Sequence, residues 1–463
     1  MNDDLKSEVL IIGAGNVGLS TAAALAIMHP KMSIVIGDRD QALIETWQYT
    51  TDDKLPGRAD QSAEEILWEL QQYGRVHFVS FAKADPTKPP PKTKPYMIQA
   101  ENLAAVVICI DLPAGKDGKQ DASNLSDLPP LLNVLQSQMP HPLVIRSTIT
   151  HSALQTFAAE LTVLDIMTNK MKPMNSEDTV LMPEFFPQGT DLAHHMHCDY
   201  LNLKTKRVFG SGSTYNKKQV MKLFQGYPEN SISTTQHSAM LGKLGLNGLL
   251  VAKLTSNNIL HAMIDDSPLS LDKSGHESLQ TILSTDERIG QGFLTPAMAG
   301  FGGVCFDKDV RLLESWCREQ NEPVMADYWK SVLAVNDRLL ERTVDSLMVE
   351  LEKNTSIVKL AFAGLGYKLG STDTRGSRIL ELVRKLATLC EEKPSLAQVK
   401  LLLYDPIISG DKLRKVFGQS VPSCVVLCGS LADLCAANHI MIQSGQREME
   451  RQLEAQGCSL STY

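Results

Sequence analysis

Residues 9–38 constrain the fold more than any other stretch. A short apolar run, Val9–Leu10–Ile11–Ile12, leads directly into Gly13-Ala14-Gly15-Asn16-Val17-Gly18. An Ala-rich helical pattern then runs from about Leu19 to Met28, and a second apolar run, Ser33–Ile36, ends near Asp38. Strand, glycine turn, helix and strand make one βαβ unit. In this G-x-G-x-x-G spacing the first glycine permits the tight turn and the second lets a pyrophosphate approach the backbone. The third packs helix on strand. Open N–H groups and the helix dipole at the turn favour phosphates. Asp38 lies 20 residues beyond Gly18. Its carboxylate suits a free ribose 2′-hydroxyl and repels a 2′-phosphate, which predicts NAD rather than NADP. Arg39 beside it is a base of the kind that takes up a phosphate. Gly13, Gly15, Asn16, Val17, Gly18 and Asp38 are the expected cofactor-binding residues.

Further buried-strand candidates are Val106–Ile110, Pro142–Ile145 and Thr179–Met182. Short apolar strands alternating with helices indicate a parallel sheet covered on both faces. A long helical pattern from about Thr234 to Ile264 reads as a central spine. A second α/β unit begins near Ser356: strand Val358–Ala363, glycine turn Gly364-Leu365-Gly366, helix Ile379–Leu389, strand Val399–Leu403, then Val425–Leu427 and His439–Ile442. The expected fold is therefore α/β, two Rossmann-like doubly wound domains joined by a long central helix and a helical dimerisation domain. The expected boundaries are 1–225, 226–338 and 339–463.

Composition sets outer limits. Over 463 residues, 45 basic and 53 acidic side chains give a net charge of −8, against a duplex nucleic-acid binder, whose affinity rests on phosphate neutralisation. No stretch approaches about 18 uninterrupted apolar residues, so no membrane span is expected. The polar start, Met1–Ser7, followed by a glycine-broken apolar run, predicts no secretory peptide. Nine dispersed cysteines without C-x-x-C spacing read as reduced thiols of a cytoplasmic protein. The proline-dense stretch 85–95 reads as a stiff exposed loop. On a helix, His194, His197 and Cys198 of the His194-His195-Met196-His197-Cys198 cluster would share a face fit for zinc. No second cluster nearby in sequence completes a tetrahedron, and no metal is expected.

Three segments carry candidate chemistry. In Gly300-Phe301-Gly302-Gly303-Val304-Cys305-Phe306-Asp307-Lys308-Asp309, the glycines leave the backbone open to a ligand. The neighbouring cation favours the thiolate of Cys305 over a thiol whose ordinary pKa is about 8.5. Lys243 and Asn247, four residues apart on the expected long helix, share one face; on spacing alone that is more often a solvated surface, though the pair could also donate to a developing oxyanion. Glu184, in Pro183-Glu184-Phe185-Phe186-Pro187-Gln188-Gly189-Thr190, follows a strand end, where an α/β sheet presents catalytic groups and where exposed turn acids also occur.

The Gly300–Asp309 segment is similar to the G-F-G-G-S-C-F-x-K-D signature of the UDP-glucose/GDP-mannose dehydrogenase family. The likeness spans most of the chain in the same motif order. Arg146-Ser147-Thr148 resembles the family's K-S-T, the Glu184 segment its N-P-E-F-x-x-E-G-T, and Lys243 to Asn247 its K-x-x-x-N. Asp286-Glu287-Arg288-Ile289-Gly290, Tyr328-Trp329 with Val335-Asn336, and Gly364 to Lys368 through Asp373-Thr374-Arg375 also fit. These last resemble the animal-type UDP-glucose 6-dehydrogenase branch.

The resemblance implies oxidation of a nucleotide-sugar C6 alcohol to a carboxylate with two NAD consumed, UDP-glucose giving UDP-glucuronate. Cys305 would be the nucleophile, passing through a thiohemiacetal and a thioester. Lys243 and Asn247 would hold the oxyanion, and Asp309 would assist alcohol deprotonation through water and Lys243. Glu184 would be the base for thioester hydrolysis, with Thr148 orienting the water. Lys308 and Arg375 would serve the cofactor. Phe185, Phe186, Phe301, Gly302, Tyr367 and Lys368 would contact substrate, as would Arg288, reaching in from the neighbouring subunit of a homodimer or larger homo-oligomer. Departures include Val304 for a serine, Gln188 for a glutamate, Met182 for an asparagine and Gly376 for an acid, along with Leu43 and Leu112-Pro113-Ala114 on the cofactor side. The alternatives are the same chemistry on a UDP-N-acetylhexosamine or GDP-mannose, a two-electron 3-hydroxyacid-type dehydrogenase, and a weakly catalytic nucleotide-sugar-binding regulator.

Overall fold

The computed structural model describes residues 7–49, 61–81, 97–115, 117–185, 206–225, 230–264, 273–297, 299–353, 359–368, 370–418, 420–443, 446–458 and 460–462. The proline-dense stretch, the His194–Cys198 cluster and Phe186 lie outside them. The chain divides into two units, Met1–Gly245 and Leu246–Tyr463.

The first unit is built on an eight-stranded sheet. Its strands are β1 (Glu8–Ile12), β2 (Ser33–Asp38), β3 (Val76–Ser80), β4 (Leu103–Ile108), β5 (Leu143–Ile145), β8 (Val180–Leu181), β9 (Arg207–Gly210) and β10 (Ser231–Thr234). They lie in the order β10-β9-β8-β5-β4-β1-β2-β3. All pairings are parallel except β8 with β9. A separate antiparallel hairpin, β6 (Thr162–Asp165) and β7 (Lys170–Pro173), turns at Asn169 with φ 52°. Helix α1 (Asn16–Met28) is buried from Gly18 through Ala26. A helix apolar all round belongs inside a protein, and α1 packs with Val9 and Ile11 of β1 and Ile34 and Ile36 of β2 in one core. Trp47 stacks on Phe78 there, ring centroids 4.6 Å apart.

The second unit holds a five-stranded parallel sheet, β11 (Lys359–Ala363), β12 (Lys400–Tyr404), β13 (Val425–Leu427), β14 (His439–Ile442) and β15 (Leu460–Thr462), ordered β13-β12-β11-β14-β15. The long helix α2 (Gln236–Ala262) runs through the unit boundary, which falls between Lys243 and Asn247. Helices α3 (Val304–Glu319), α4 (Pro323–Lys353) and α5 (Arg378–Glu392) follow. Leu347 and Leu351 of α4 share a core with Phe362 of β11 and Leu386 of α5, so α4 is built into the same body as this sheet. A smaller cluster of Val251, Phe301, Val310, Val332 and Leu333 sits under the start of α3. Among the described residues no helix is long and apolar enough to cross a membrane.

Candidate active site

In the first unit the strand order reverses between β1 and β4, where an open parallel sheet leaves a crevice at its carboxyl ends. The glycine turn fills that end. Gly13 has φ 111°, and a Cβ there would lie 2.5 Å from the Cys109 carbonyl oxygen. A Cβ on Gly18 would lie 1.8 Å from the Gly13 carbonyl oxygen, so packing alone demands these two glycines. At Gly15 a Cβ meets nothing within 4 Å. That open space, at the N-terminus of α1, fits a pyrophosphate. Asp38 accepts a hydrogen bond from the Ala14 N–H at 2.7 Å, which sets its carboxylate at the rim of the turn. Arg39 is engaged by Asn124 Oδ1 at 2.5 Å. Asn16 and Val17 occupy the first turn of α1, half-buried. Burial pushes the Cys109 thiol beneath the turn up to about 12, leaving it inert.

Strands β5 and β8 are neighbours, with Ile145 opposite Leu181, so Arg146-Ser147-Thr148 and Pro183-Glu184-Phe185 leave adjacent strand ends. Gln120 holds the first segment, donating to the Thr148 carbonyl at 2.7 Å and accepting from the Thr150 N–H at 2.6 Å. Arg146, its side chain 1 % exposed, forms an ion pair with Glu184. The other Glu184 oxygen accepts from the Phe185 N–H at 3.0 Å. Lys243 Nζ stands 5.8 Å from the Phe185 ring centroid. Thr148, Glu184, Phe185 and Lys243 thus belong to one unit, and Arg146 is a functional candidate that sequence reasoning passed over. Its signal was there, a cation opening the segment after a strand, but the acid it meets is 38 residues away.

In the second unit Cys305 is the second residue of α3 and is exposed. The first turn of a helix favours an anion, because its N–H groups point out unpaired along the dipole. Asp309, one turn on, is buried at 1 % exposure and accepts from the Asn247 amide at 2.6 Å. Lys308 is half-buried beside it. The glycine loop before Cys305 is held from two sides. Asn336 of α4 accepts from the Phe301 N–H at 2.7 Å and donates to the Phe301 carbonyl at 3.1 Å. Gly303, at φ 93°, donates its N–H to the Gly376 carbonyl at 2.9 Å. A Cβ on Gly303 would touch the Tyr367 ring at 2.8 Å. Gly376 has φ 65°, and a Cβ there would lie 3.0 Å from the Gly303 backbone. The departure from the family's acid at 376 thus has a steric reason. Asn336 was legible only as part of a motif, without a role.

Strand order in this sheet reverses between β11 and β14. Gly364 to Lys368 follow β11, and Gln443, just past β14, donates to the Gly366 carbonyl at 2.9 Å. Tyr367 and Lys368 are half-buried, with Lys368 Nζ 5.7 Å from the Tyr367 ring centroid. The two arginines expected at ligands share one local device: Arg288 is paired with Asp286 and Arg375 with Asp373, each two residues earlier. Their side chains are 89 % and 68 % exposed. The structure therefore brings together Cys305, Asp309, Asn247, Phe301, Gly302 and Tyr367. It keeps Arg288 and Arg375 on local partners.

Residues 237–338 match the central domain of the UDP-glucose/GDP-mannose dehydrogenase family. The UDP-glucose 6-dehydrogenase of Caenorhabditis elegans is 27 % identical over 413 residues, 88 % of this chain and 78 % of the relative. Over residues 237–338 the chain carries the central domain of that family, and its likeness to the relatives extends over most of its length. The UDP-glucose 6-dehydrogenase of Gallus gallus is 26 % identical over 459 residues, 96 % of this chain and 85 % of that one. These relatives are dehydrogenases, and the protein is an oxidoreductase. Its fold is shared with a UDP-glucose dehydrogenase of Pyrobaculum islandicum, TM-score 0.69 at 19 % identity over 96 % of this chain and 90 % of the other. A UDP-D-ManNAc dehydrogenase of Pyrococcus horikoshii gives TM-score 0.65 at 18 % identity, over 98 % and 93 %.

Proposed function

We propose that this protein is an NAD-dependent nucleotide-sugar 6-dehydrogenase that oxidises UDP-glucose to UDP-glucuronate in a four-electron reaction. The carrying observation is the exposed Cys305 thiol in the first turn of α3, one turn from the buried Asp309–Asn247 pair. A two-electron alcohol dehydrogenase has no use for such a sulfur.

NAD would be held by Gly13, Gly15, Asn16, Val17, Gly18 and Asp38, with Lys308 and Arg375 serving the same ligand, and would supply the hydride acceptor for both oxidations. Asp309, through water and Lys243, takes the proton of the C6 alcohol. Loss of a C6 hydride to the first NAD would leave an aldehyde; Cys305 sulfur adds to its carbon, giving a thiohemiacetal, and loss of the second C6 hydride to another NAD would leave a thioester. Lys243 and Asn247 donate to the oxygen that carries negative charge at each stage. Glu184, with Thr148 orienting the water, takes a proton from that water as it attacks the thioester and frees the Cys305 thiolate. Arg146 holds the Glu184 carboxylate in place. Phe185, Phe186, Phe301, Gly302, Tyr367 and Lys368 contact the nucleotide sugar. Residues 1–225 carry the cofactor, 226–338 the nucleophile and the oligomer contact, and 339–463 the sugar nucleotide. The working form is a homodimer or larger homo-oligomer in which Arg288 crosses to a neighbouring substrate. The exposed Leu249, Met263 and Ile282 suit such a contact.

The test counts NADH formed per UDP-glucose consumed by the purified protein. Two supports the reading, and one means a two-electron dehydrogenase. None, despite UDP-sugar binding, means a regulator. Running UDP-N-acetylhexosamines and GDP-mannose alongside fixes the sugar.

A further inference from the structure

The second unit holds a thiol pair that the proposed reaction does not use. Cys435 lies in the 3-10 turn Leu431–Ala436 that leads into β14, and Cys458 lies two residues before β15. They are 23 residues apart in sequence, yet their sulfurs are 3.4 Å apart. A disulfide needs about 2.05 Å, a closure within reach of side-chain rotation. Cys435 is exposed and donates to Gln456 Oε1 at 2.9 Å, whereas Cys458 is half-buried. Of the other cysteines, Cys109, Cys390 and Cys424 are buried.

We propose that Cys435 and Cys458 form a reversible redox pair, closed to a disulfide by a hydroperoxide and reopened by a dithiol. In the first step the Cys435 thiolate attacks a peroxide oxygen. The S–O bond forms, the O–O bond breaks, and the departing hydroxide takes up the thiol's proton as water. The sulfur, now a sulfenic acid, has lost two electrons to the peroxide. Cys458 then gives up its proton and attacks that sulfur. The S–S bond forms, the S–O bond breaks, and a second water leaves. Two thiols and one hydrogen peroxide thus give one disulfide and two waters.

The order of attack follows from the surroundings. Cys435 is the sulfur that peroxide can reach. Burial and the adjacent Cys435 together push the Cys458 thiol up to about 11. Turning Cys435 into a neutral sulfenic acid removes its share of that effect, which readies Cys458 for the second step. The product ties the approach to β14 to the approach to β15. Strand β15 is three residues long and pairs only with β14 at the sheet edge, so it depends most on such a tie.

The experiment uses the full chain, reduced and then exposed to a few equivalents of hydrogen peroxide in a Cys305→Ala background, which silences the other exposed cysteine among the described residues. The protein is denatured in iodoacetamide, digested and weighed. The expected product is a Cys435–Cys458 linked peptide about 2 Da lighter than its two reduced halves, lost on dithiothreitol treatment. Its formation should raise the melting temperature by several degrees, and Cys435→Ser and Cys458→Ser should each abolish both the link and the shift. Recovery of Cys435 and Cys458 as separately alkylated thiols, as sulfinic acids, or linked to other cysteines would overturn the proposal. The mass measurement on the Cys305→Ala protein decides this even if the serine variants fold poorly.

Discussion

At the scale of single residues, two positions separate chemistry from architecture. Cys305 is exposed at a helix start, so Cys305→Ser should fold normally. Without sulfur there is no thiohemiacetal to oxidise and no thioester to hydrolyse. UDP-glucuronate formation should fall by at least about a hundredfold while UDP-glucose affinity, by calorimetry, stays within about threefold. Near-normal acid production would remove the covalent step. Gly376 is the opposite case. Its positive φ strains any side chain, and a Cβ 3.0 Å from the Gly303 backbone would push that backbone away. Gly376→Asp, which restores the family's usual acid, should cost about 1–3 kcal/mol in urea unfolding. It should also loosen the Gly303 N–H to Gly376 carbonyl bond that shapes the Cys305 loop. A neutral result would mean that the departure has no steric cause.

At the scale of elements, the legible parts were those whose chemistry is local. The runs behind β1, β2, β4, β5, β11, β12 and β14 are continuous and apolar because both faces of a parallel sheet are covered, and each of them, like the edge strand β13, matches its strand to within a few residues. Helix α2 was equally readable, and the structure sets it at Gln236–Ala262. Other features escaped because distant residues decide them. Strand β10, Ser-Ile-Ser-Thr, is short and polar at three of its four positions, and only its pairing with β9 makes it a strand. The hairpin β6–β7 is exposed along β7 and carries no apolar alternation. The Cys435–Cys458 contact and the Arg146–Glu184 pair join separate segments of chain. Asn336 shows the same limit: 35 residues from Phe301, it supplies two hydrogen bonds to the Phe301 backbone in that loop. Asn336→Ala should leave the buried Phe301 N–H and carbonyl without that partner. The expected cost is about 2–4 kcal/mol, read from denaturant midpoints, with a larger loss in turnover than in substrate affinity. If stability and turnover both survive, α4 does not position the loop.

At the scale of the whole molecule, each unit carries a histidine in its sheet whose titration couples stability to pH. Burial lowers the pKa of His77 on β3 and of His439 on β14 below the ordinary 6.5. The sign follows from proton counting. Above pH 6.5 both rings are neutral, folded or unfolded, and their full contribution is present. As pH falls below 6.5 the unfolded chain binds protons that the folded chain refuses. Stability is then lost until the folded values are reached. Carboxylates act in a lower window. Burial raises Asp373, but the Arg375 guanidinium and backbone N–H outweigh it and hold the group below its ordinary 3.8. Its contribution fades only as pH falls below that value. Between pH 7 and 5 the histidines therefore dominate among these three groups. Amide hydrogen exchange in β11 and β14 should show protection falling over this range, and in His439→Gln the fall should be shallower there while β1 and β2 behave as before. His439 is 7 % exposed and sits one residue before Ile440 in the central part of the second sheet, so its protonation cannot be relieved at the surface. An unchanged slope in the variant would show that burial of this ring does not set the acid limit of the second unit.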